Sequence, residues 1–270
     1  MKNLFLTIAL TGLTIGLLSS CTKEEGPENH NQNLPEGALP GVFSVSSTKK
    51  VNFSQGNLYY DGSEFKFETN QYDYPGTWKE SHVGYFYWSK DASVAYSKVY
   101  RESDPADSDV FFSNATYETA NPDFTVNGVT GRYRTLSAKE WEYLLTKKSR
   151  MKKGGPCYTC FINDVSVSIE GEDYYGVFIY PDNYKGNVVS DSITWEQINE
   201  AGIVFLPAAG FYDRSTLIPM VWFPNGFGDY WSSSANGVGN AYHFEFFGGT
   251  FSPSWSNGRN MGYSVRLVTE

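Results

Sequence analysis

Short runs of aromatic and β-branched residues recur from about Gly41 to the C-terminus, with Gly, Asn and Asp between them. Runs of this kind predict short β-strands joined by turns. In the first part of the chain the pattern predicts strands over residues 42–45, 51–53, 57–60 and 64–67. Asp61-Gly62 separates the last two runs and predicts a hairpin turn, because this dipeptide accepts positive φ.

Two segments follow the helical period instead. Ser137 and Glu140 fit a capping box, in which each side chain accepts a hydrogen bond from the backbone N–H of the other residue. A second helix is predicted over residues 194–201, with Thr194 and Gln197 as its cap. The apolar stripe of the first helix consists of Trp141, Leu144 and Leu145.

Gly202 is expected to end the second helix, and residues 203–206 predict a buried strand after it. Residues 70–128 have weak periodicity and are interpreted as long loops with a few short elements. Two short helices among many short strands predict the α+β fold class, and the sequence contains no tandem repeat of fixed period.

The C-terminal part of the chain alternates most clearly. In the strand predicted over residues 241–247, the even-numbered aromatic positions share one face and the odd-numbered positions share the other. Gly248-Gly249 predicts a hairpin turn into a strand over residues 250–252. We expect the scaffold face to contain Tyr242, Phe244 and Phe246.

Beyond this hairpin, residues 253–261 are rich in Trp, Asn and Ser. Residues 262–268 predict a returning strand, in which the scaffold residues Val265 and Leu267 alternate with other positions. Trp, Tyr, Asn and Ser on a rigid hairpin combine a large contact area with adaptable hydrogen bonding, as in antibody binding loops. The segment is therefore either a ligand-binding ridge or an ordinary solvated sheet face.

Composition removes several classes of protein. A disordered chain would be poor in aromatic residues, whereas this one has 20 Tyr, 19 Phe and 7 Trp in 270 residues. The net charge of -9 argues against nucleic-acid binding, which needs a basic surface. The number of aromatic residues exceeds what a core of this size needs, so part of it is available for binding.

The N-terminal residues have the pattern of a secretory signal. Lys2 precedes an apolar run over residues 4–18, which is short for a membrane span. Residues 18–21 then resemble the lipobox of bacterial lipoproteins, which implies cleavage before Cys21 and acylation of that residue, for example with palmitate. A plain signal peptide with an unrelated Cys is the alternative. Residues 22–25 resemble the export tag of Bacteroidota surface lipoproteins.

These features predict three parts: a lipoprotein signal peptide over residues 1–20, a disordered acylated tether over residues 21–39, and a single folded domain over residues 40–270. The implied location is the outer membrane, with a lipid anchor and the domain facing the cell exterior.

Catalytic signatures are sparse. Cys157 and Cys160 form one CxxC without the second pair that a structural zinc site needs, so we expect either a local disulfide or two free thiols. The sequence contains no Gly-x-Ser-x-Gly elbow, and a general base would have to come from His82 or His243. We therefore expect no enzymatic activity, no cofactor and no metal.

Several separated segments resemble a family of Bacteroidota lipoproteins that carry the major paralogous domain, and the similarity covers about residues 40–270. The C-terminal segments are GDYWSSS (228–234), AY (241–242) and GYSVR (262–266). The upstream segments are VNFSQGNL (51–58), NQYD (70–73), RTLSAKEWEYLL (134–145) and VFLPAAG (204–210).

This resemblance implies a fold of the C-type-lectin kind, related to formylglycine-generating enzymes. The fold also includes variable proteins of diversity-generating retroelements, in which C-terminal binding residues vary on a constant scaffold. The catalytic cysteines of the enzymes and the calcium signatures of sugar-binding lectins have no counterpart here. The positions that the resemblance implies as ligand-binding are His243, Glu245, Phe247, Thr250, Ser252, Trp255, Ser256, Asn257 and Asn260, with Met261 as a further candidate.

The resulting hypothesis is a non-enzymatic cell-surface lipoprotein that binds a protein or glycan through its C-terminal hairpin and loops. An alternative is a glycan-binding adhesin in which Trp88, Trp222 or Trp231 stacks on sugar rings. A weaker alternative is an envelope polysaccharide hydrolase with paired carboxylates.

Overall fold

The computed structural model describes residues 34–76, 81–88, 124–146, 166–182, 184–187, 189–213, 220–237 and 239–270. The predicted lipid anchor at Cys21 and the Cys157 and Cys160 pair lie outside the described residues. The first strand begins at Ala38, two residues before the predicted start of the folded domain.

The described residues form an α+β fold of small, mostly antiparallel sheets with two short helices. The helices are α1 (Ala138–Thr146) and α2 (Trp195–Glu200). The strands are β1 (Ala38–Ser44), β2 (Lys50–Ser54), β3 (Leu58–Tyr60), β4 (Phe65–Phe67), β5 (Thr125–Val126), β6 (Val129–Thr130), β7 (Val167–Ile169), β8 (Glu172–Tyr174), β9 (Gly176–Ile179), β10 (Val204–Pro207), β11 (Phe211–Asp213), β12 (Met220–Trp222), β13 (Phe227–Asn236), β14 (Asn240–Phe247), β15 (Thr250–Gly258) and β16 (Val268–Thr269).

The sheets connect distant parts of the chain. β2 lies between β1 and the last strand, β16, and both pairs are antiparallel. β3, β4, β5 and β6 form a second sheet, in which β4 and β5 are parallel. The C-terminal sheet has the order β13-β14-β15 and is antiparallel throughout. The predicted strands before residue 70 are confirmed, as is the hairpin turn at Asp61-Gly62 between β3 and β4.

Both predicted capping boxes are confirmed. At α1 the Glu140 N–H donates to Ser137 Oγ at 3.2 Å, and the Ser137 N–H donates to Glu140 Oε2 at 2.8 Å. Thr194 and Gln197 make the same reciprocal pair at α2. Arg134 forms a two-pronged ion pair with Glu140, with both N–O distances at 2.8 Å. Burial opposes ionisation of Glu140, but the hydrogen bonds from Arg134 and Ser137 outweigh it and lower the pKa of the carboxyl.

Helix α1 covers one side of the C-terminal sheet. The Trp141 ring stacks on Phe244 of β14 with ring centroids 5.2 Å apart, and it also lies 6.1 Å from the ring of Phe53 in β2. Leu144 and Leu145 are buried in the same core, so the predicted apolar stripe is confirmed. The scaffold positions Phe244 and Phe246 are buried on this side as expected.

Residues 253–270 differ from the predicted pattern in two ways. The strand predicted over residues 250–252 continues as β15 to Gly258, so most of the segment rich in Trp, Asn and Ser is also strand. Residues 262–269 are all buried, and only Val268–Thr269 forms a ladder strand, so the predicted alternation is wrong. The physical reason is that this segment lies between two other parts of the chain. The Trp231 N–H donates to Ser264 O at 3.1 Å, and the Phe86 N–H donates to Tyr263 O at 2.9 Å.

Candidate functional site

The register of the C-terminal sheet determines which predicted binding residues lie together. Residues that pair directly across antiparallel strands point to the same side of the sheet. We call the side opposite α1 the hairpin face. Its cross-strand rows are Phe227–Phe247–Thr250, Asp229–Glu245–Ser252, Trp231–His243–Trp255 and Ala241–Asn257.

Two aromatic side chains are exposed on the hairpin face. Trp255 is 55% exposed and Phe247 is 40% exposed. We call Trp255 and Phe247 the aromatic anchors. Trp255 pairs with His243, which precedes Phe247 by four residues on β14, so the two anchors are about 13 Å apart along the strand direction. Exposed aromatic rings on a rigid strand offer contact area without a large loss of conformational entropy on binding.

An aromatic row extends the site at the Phe247 end. The Phe247 ring stacks on Phe227 of β13, with centroids 4.6 Å apart and an interplanar angle of 13°. Phe227 in turn lies 5.2 Å from Phe223, which is 54% exposed. This row, Phe223–Phe227–Phe247, is partly open to solvent.

The structure separates the predicted binding residues into groups. Ser256 pairs with Tyr242 and therefore points away from the hairpin face, where its Oγ accepts a hydrogen bond from Asn236 Nδ2 at 2.8 Å. Asn257 lies on the hairpin face and its Nδ2 donates to Tyr263 Oη at 2.9 Å. Asn260 and Met261 follow β15 and are half-buried. The remaining predicted residues on the hairpin face are His243, Glu245, Phe247, Thr250, Ser252 and Trp255.

His243 belongs to the hairpin face but not to its surface. Its side chain is 0% exposed, because Tyr263 covers it with ring centroids 4.5 Å apart and Trp231 packs edge-on against it at 5.7 Å. The alternation pattern placed His243 correctly on the face of Glu245 and Phe247. The pattern did not predict that His243 is buried, because the ring that covers it, Tyr263, comes from a segment twenty residues later in the chain.

The buried histidine lies between two acids. His243 Nε2 is 3.2 Å from Asp229 Oδ1 and 3.7 Å from Glu245 Oε2. Burial opposes a charge on His243, but the two carboxylates outweigh it and raise the pKa of the imidazole above its usual value. Burial raises the pKa of Asp229, and the nearby Glu245 adds to this, while His243 acts in the opposite direction.

Several residues of the site were missed from sequence. Phe223 and Phe227 flank the turn Pro224-Asn225-Gly226, and this turn composition between two aromatic residues was an available signal. Phe223 has φ of +50°, an unusual backbone angle for an aromatic residue. Asp229 had no local signal, because its position opposite Glu245 depends on the β13–β14 register.

The tryptophans of the alternative hypothesis lie mostly inside the fold. Trp88 and Trp231 are buried, and their indole N–H groups donate to Ser232 O and Phe86 O, both at 2.7 Å. A buried indole face is not accessible to a sugar ring. Trp222 is half-buried and remains available to that hypothesis.

The fold and site together define a class: a small-sheet α+β protein that displays exposed aromatic rings on one face of its C-terminal sheet. No family model, no curated protein and no solved structure matches the chain. Across the ranges that the structure covers, neither helix combines the length and apolar character needed to cross a bilayer.

Proposed function

We propose that this protein is a non-enzymatic binding protein with a C-type-lectin-like domain, which recognises a protein or glycan ligand through the hairpin face. One observation carries the proposal: Trp255 and Phe247, both exposed, lie on the same face of one antiparallel hairpin. The mixture of short antiparallel strands with two short helices supports the fold, together with the resemblance of the sequence segments.

The proposed mechanism is burial of these two rings against the ligand, with polar neighbours satisfying its hydrogen-bonding groups. Aromatic anchors at the centre of an interface often contribute about 2 kcal/mol or more each, which corresponds to about 30-fold in affinity. Ser252 and Thr250 lie between or beside the anchors in the cross-strand rows and supply hydroxyl groups. The rigid sheet behind them, held by α1, keeps the anchors in position before binding.

The binding test uses the full chain against a glycan array and a peptide display library. The double variant Trp255→Ala and Phe247→Ala is expected to bind the strongest hit at least about 30-fold more weakly than the wild type. The matched control is Val129→Ala, because Val129 is also 40% exposed but lies on β6, in a different sheet. This control is expected to bind like the wild type.

Two results would contradict the proposal. One is a selective ligand that binds the double variant as tightly as the wild type; if Trp222→Ala then removes glycan binding, the adhesin alternative is supported instead. The other is a wild-type protein that gives no selective hit in either library.

We further propose that the domain is displayed at the cell exterior by a lipid anchor on Cys21. The apolar run over residues 4–18, the residues that lead to Cys21 and the tag over residues 22–25 support this.

Diversification of the hairpin face by a retroelement is part of the same proposal. Its expected signature is a second copy of the codons for residues 229–268, altered at adenines and adjacent to a reverse-transcriptase gene; neighbouring DNA without that copy would leave a fixed binding face.

A further inference from the structure

The hairpin face holds a group of side chains that the ligand-binding proposal does not use. Asp229, His243 and Glu245 place one nitrogen and two oxygen atoms within 4.8 Å of one another. Within the described ranges this is the one group of three or more His, Cys, Asp or Glu side chains with that spacing. The side chains of His243 and Asp229 are buried, and that of Glu245 is 18% exposed.

The hydrogen bonding inside this group is incomplete. His243 Nε2 and Asp229 Oδ1 are 3.2 Å apart, yet the ring N–H is not directed at the oxygen as a hydrogen bond requires. Among the described residues, both atoms are buried without any hydrogen-bond partner, and so is His243 Nδ1. Buried polar atoms are nearly always paired, so orphaned atoms in close contact call for an explanation.

The charges of the group point in the same direction. Asp229 and Glu245 lie directly opposite each other on β13 and β14, and like charges in that position destabilise a sheet. In the form that binds a metal, with both carboxylates ionised and the imidazole neutral, the group carries a formal charge of about -2, which a single divalent cation would balance.

The spacing matches that of ligands around one metal ion. Zinc lies about 2.0–2.2 Å from nitrogen and carboxylate ligands, so two ligands of a tetrahedral site are about 3.3 Å apart. The two observed separations, 3.2 and 3.7 Å, bracket this value. A cation between these atoms would satisfy Asp229 Oδ1 and His243 Nε2 at once.

We propose that Asp229, His243 and Glu245 bind one divalent transition-metal ion beneath the hairpin face, with Zn²⁺ as the best chemical match. An imidazole nitrogen favours zinc over calcium or magnesium, which prefer all-oxygen sites. Three protein ligands leave a fourth tetrahedral position for water or for an oxygen atom of a bound ligand. The proposal departs from the sequence-based expectation that the chain has no metal site.

The test is calorimetric titration of the full chain with Zn²⁺ at neutral pH, after its thiols have been alkylated so that cysteines do not contribute. The wild type is expected to bind a single Zn²⁺ with a rise in Tm, since an ion that binds only the native state stabilises it. His243→Gln and Glu245→Gln are each expected to weaken binding more than about tenfold, because the loss of even a supporting partner of a ligand costs that much. Glu245 is partly exposed, so its variant is expected to keep the near-UV circular dichroism of the folded protein.

The matched control is His82→Gln, because His82 also has an acidic neighbour, with its Nε2 2.5 Å from Glu68 Oε1. This control should bind Zn²⁺ like the wild type. The double variant at Trp255 and Phe247 should do so as well, which separates this proposal from the proposed function.

Three outcomes would overturn the metal site. The first is a wild type that takes up no Zn²⁺. The second is unchanged affinity in both the His243 and Glu245 variants. The third is tighter binding of Ca²⁺ than of Zn²⁺.

Discussion

Replacing Trp141 by alanine is expected to lower the free energy of unfolding by about 3–5 kcal/mol, the usual cost of removing a large buried aromatic ring. Trp141 is 0% exposed and its ring stacks on Phe244, the scaffold residue beside His243. Its indole nitrogen has no hydrogen-bond partner among the described residues, so the loss is one of packing. A domain of this size is stable by only about 5–15 kcal/mol, so the variant should have a much lower urea midpoint.

Trp255→Ala is the control for the Trp141 variant, because it removes the same type of side chain. Trp141 lies on α1 and packs on one side of the C-terminal sheet, whereas Trp255 projects from the opposite side. Trp255 is exposed, and its removal should change the free energy of unfolding by no more than about 0.5 kcal/mol. Replacing Trp141 is therefore expected to lower stability, whereas replacing Trp255 is expected to weaken ligand binding. Equal urea midpoints for the two variants would show that α1 does not support the sheet in the way described.

Gly202→Ala is expected to cost about 2–5 kcal/mol, from an unfavourable backbone angle and a steric clash together. Gly202 follows α2 with φ of +66°. A Cβ atom at this position would overlap the backbone of Gly41 in β1, and one at Gly41 would overlap the carbonyl oxygen of Gly202. Because the obstacle is backbone on both sides, no side chain can rotate to make room. Urea unfolding of the purified variant measures the loss.

Gly131→Ala separates the two contributions to the Gly202 result. Gly131 has nearly the same backbone angle, φ of +69°, but a Cβ atom there would meet nothing within 4 Å. Its replacement should cost only the conformational part, about 1–2 kcal/mol. The contact between Gly41 and Gly202 would be unimportant if both variants lost the same stability.

Much of the local structure was predictable from the sequence, because the interactions that specify it lie within a few residues. Each capping box joins residues three apart, and the Asp61-Gly62 turn needs one residue with positive φ between adjacent strands. Alternation along β14 correctly separated the buried Phe244 from the exposed Phe247. The candidate site was predictable only in part. Phe247 lies on a predicted strand, whereas Trp255 lies beyond the strand predicted over residues 250–252, and a register shift between β14 and β15 places it on the same face.

The candidate site depended on tertiary structure wherever residues far apart in the chain meet. Val265 and Leu267 are buried as expected of scaffold residues, but the residues around them are buried as well, because residues 263–264 contact β13 and the segment near Phe86. The row Phe223–Phe227–Phe247 likewise requires a stacking contact between rings twenty residues apart.

Interactions between neighbouring residues were enough to predict the α+β composition, the helix caps, the main hairpins and the face of β14 on which Phe247 lies. Long-range packing and strand register were needed to place Trp255 on the face of Phe247, Tyr263 over His243, Asp229 opposite Glu245, and the backbone of Gly41 against that of Gly202. The physical reason is the range of the interactions. Helix caps, turns and strand alternation arise from residues that are neighbours in the sequence. The burial of His243, the pairing register of the strands and the contact between two glycine backbones arise from distant segments that packing brings together.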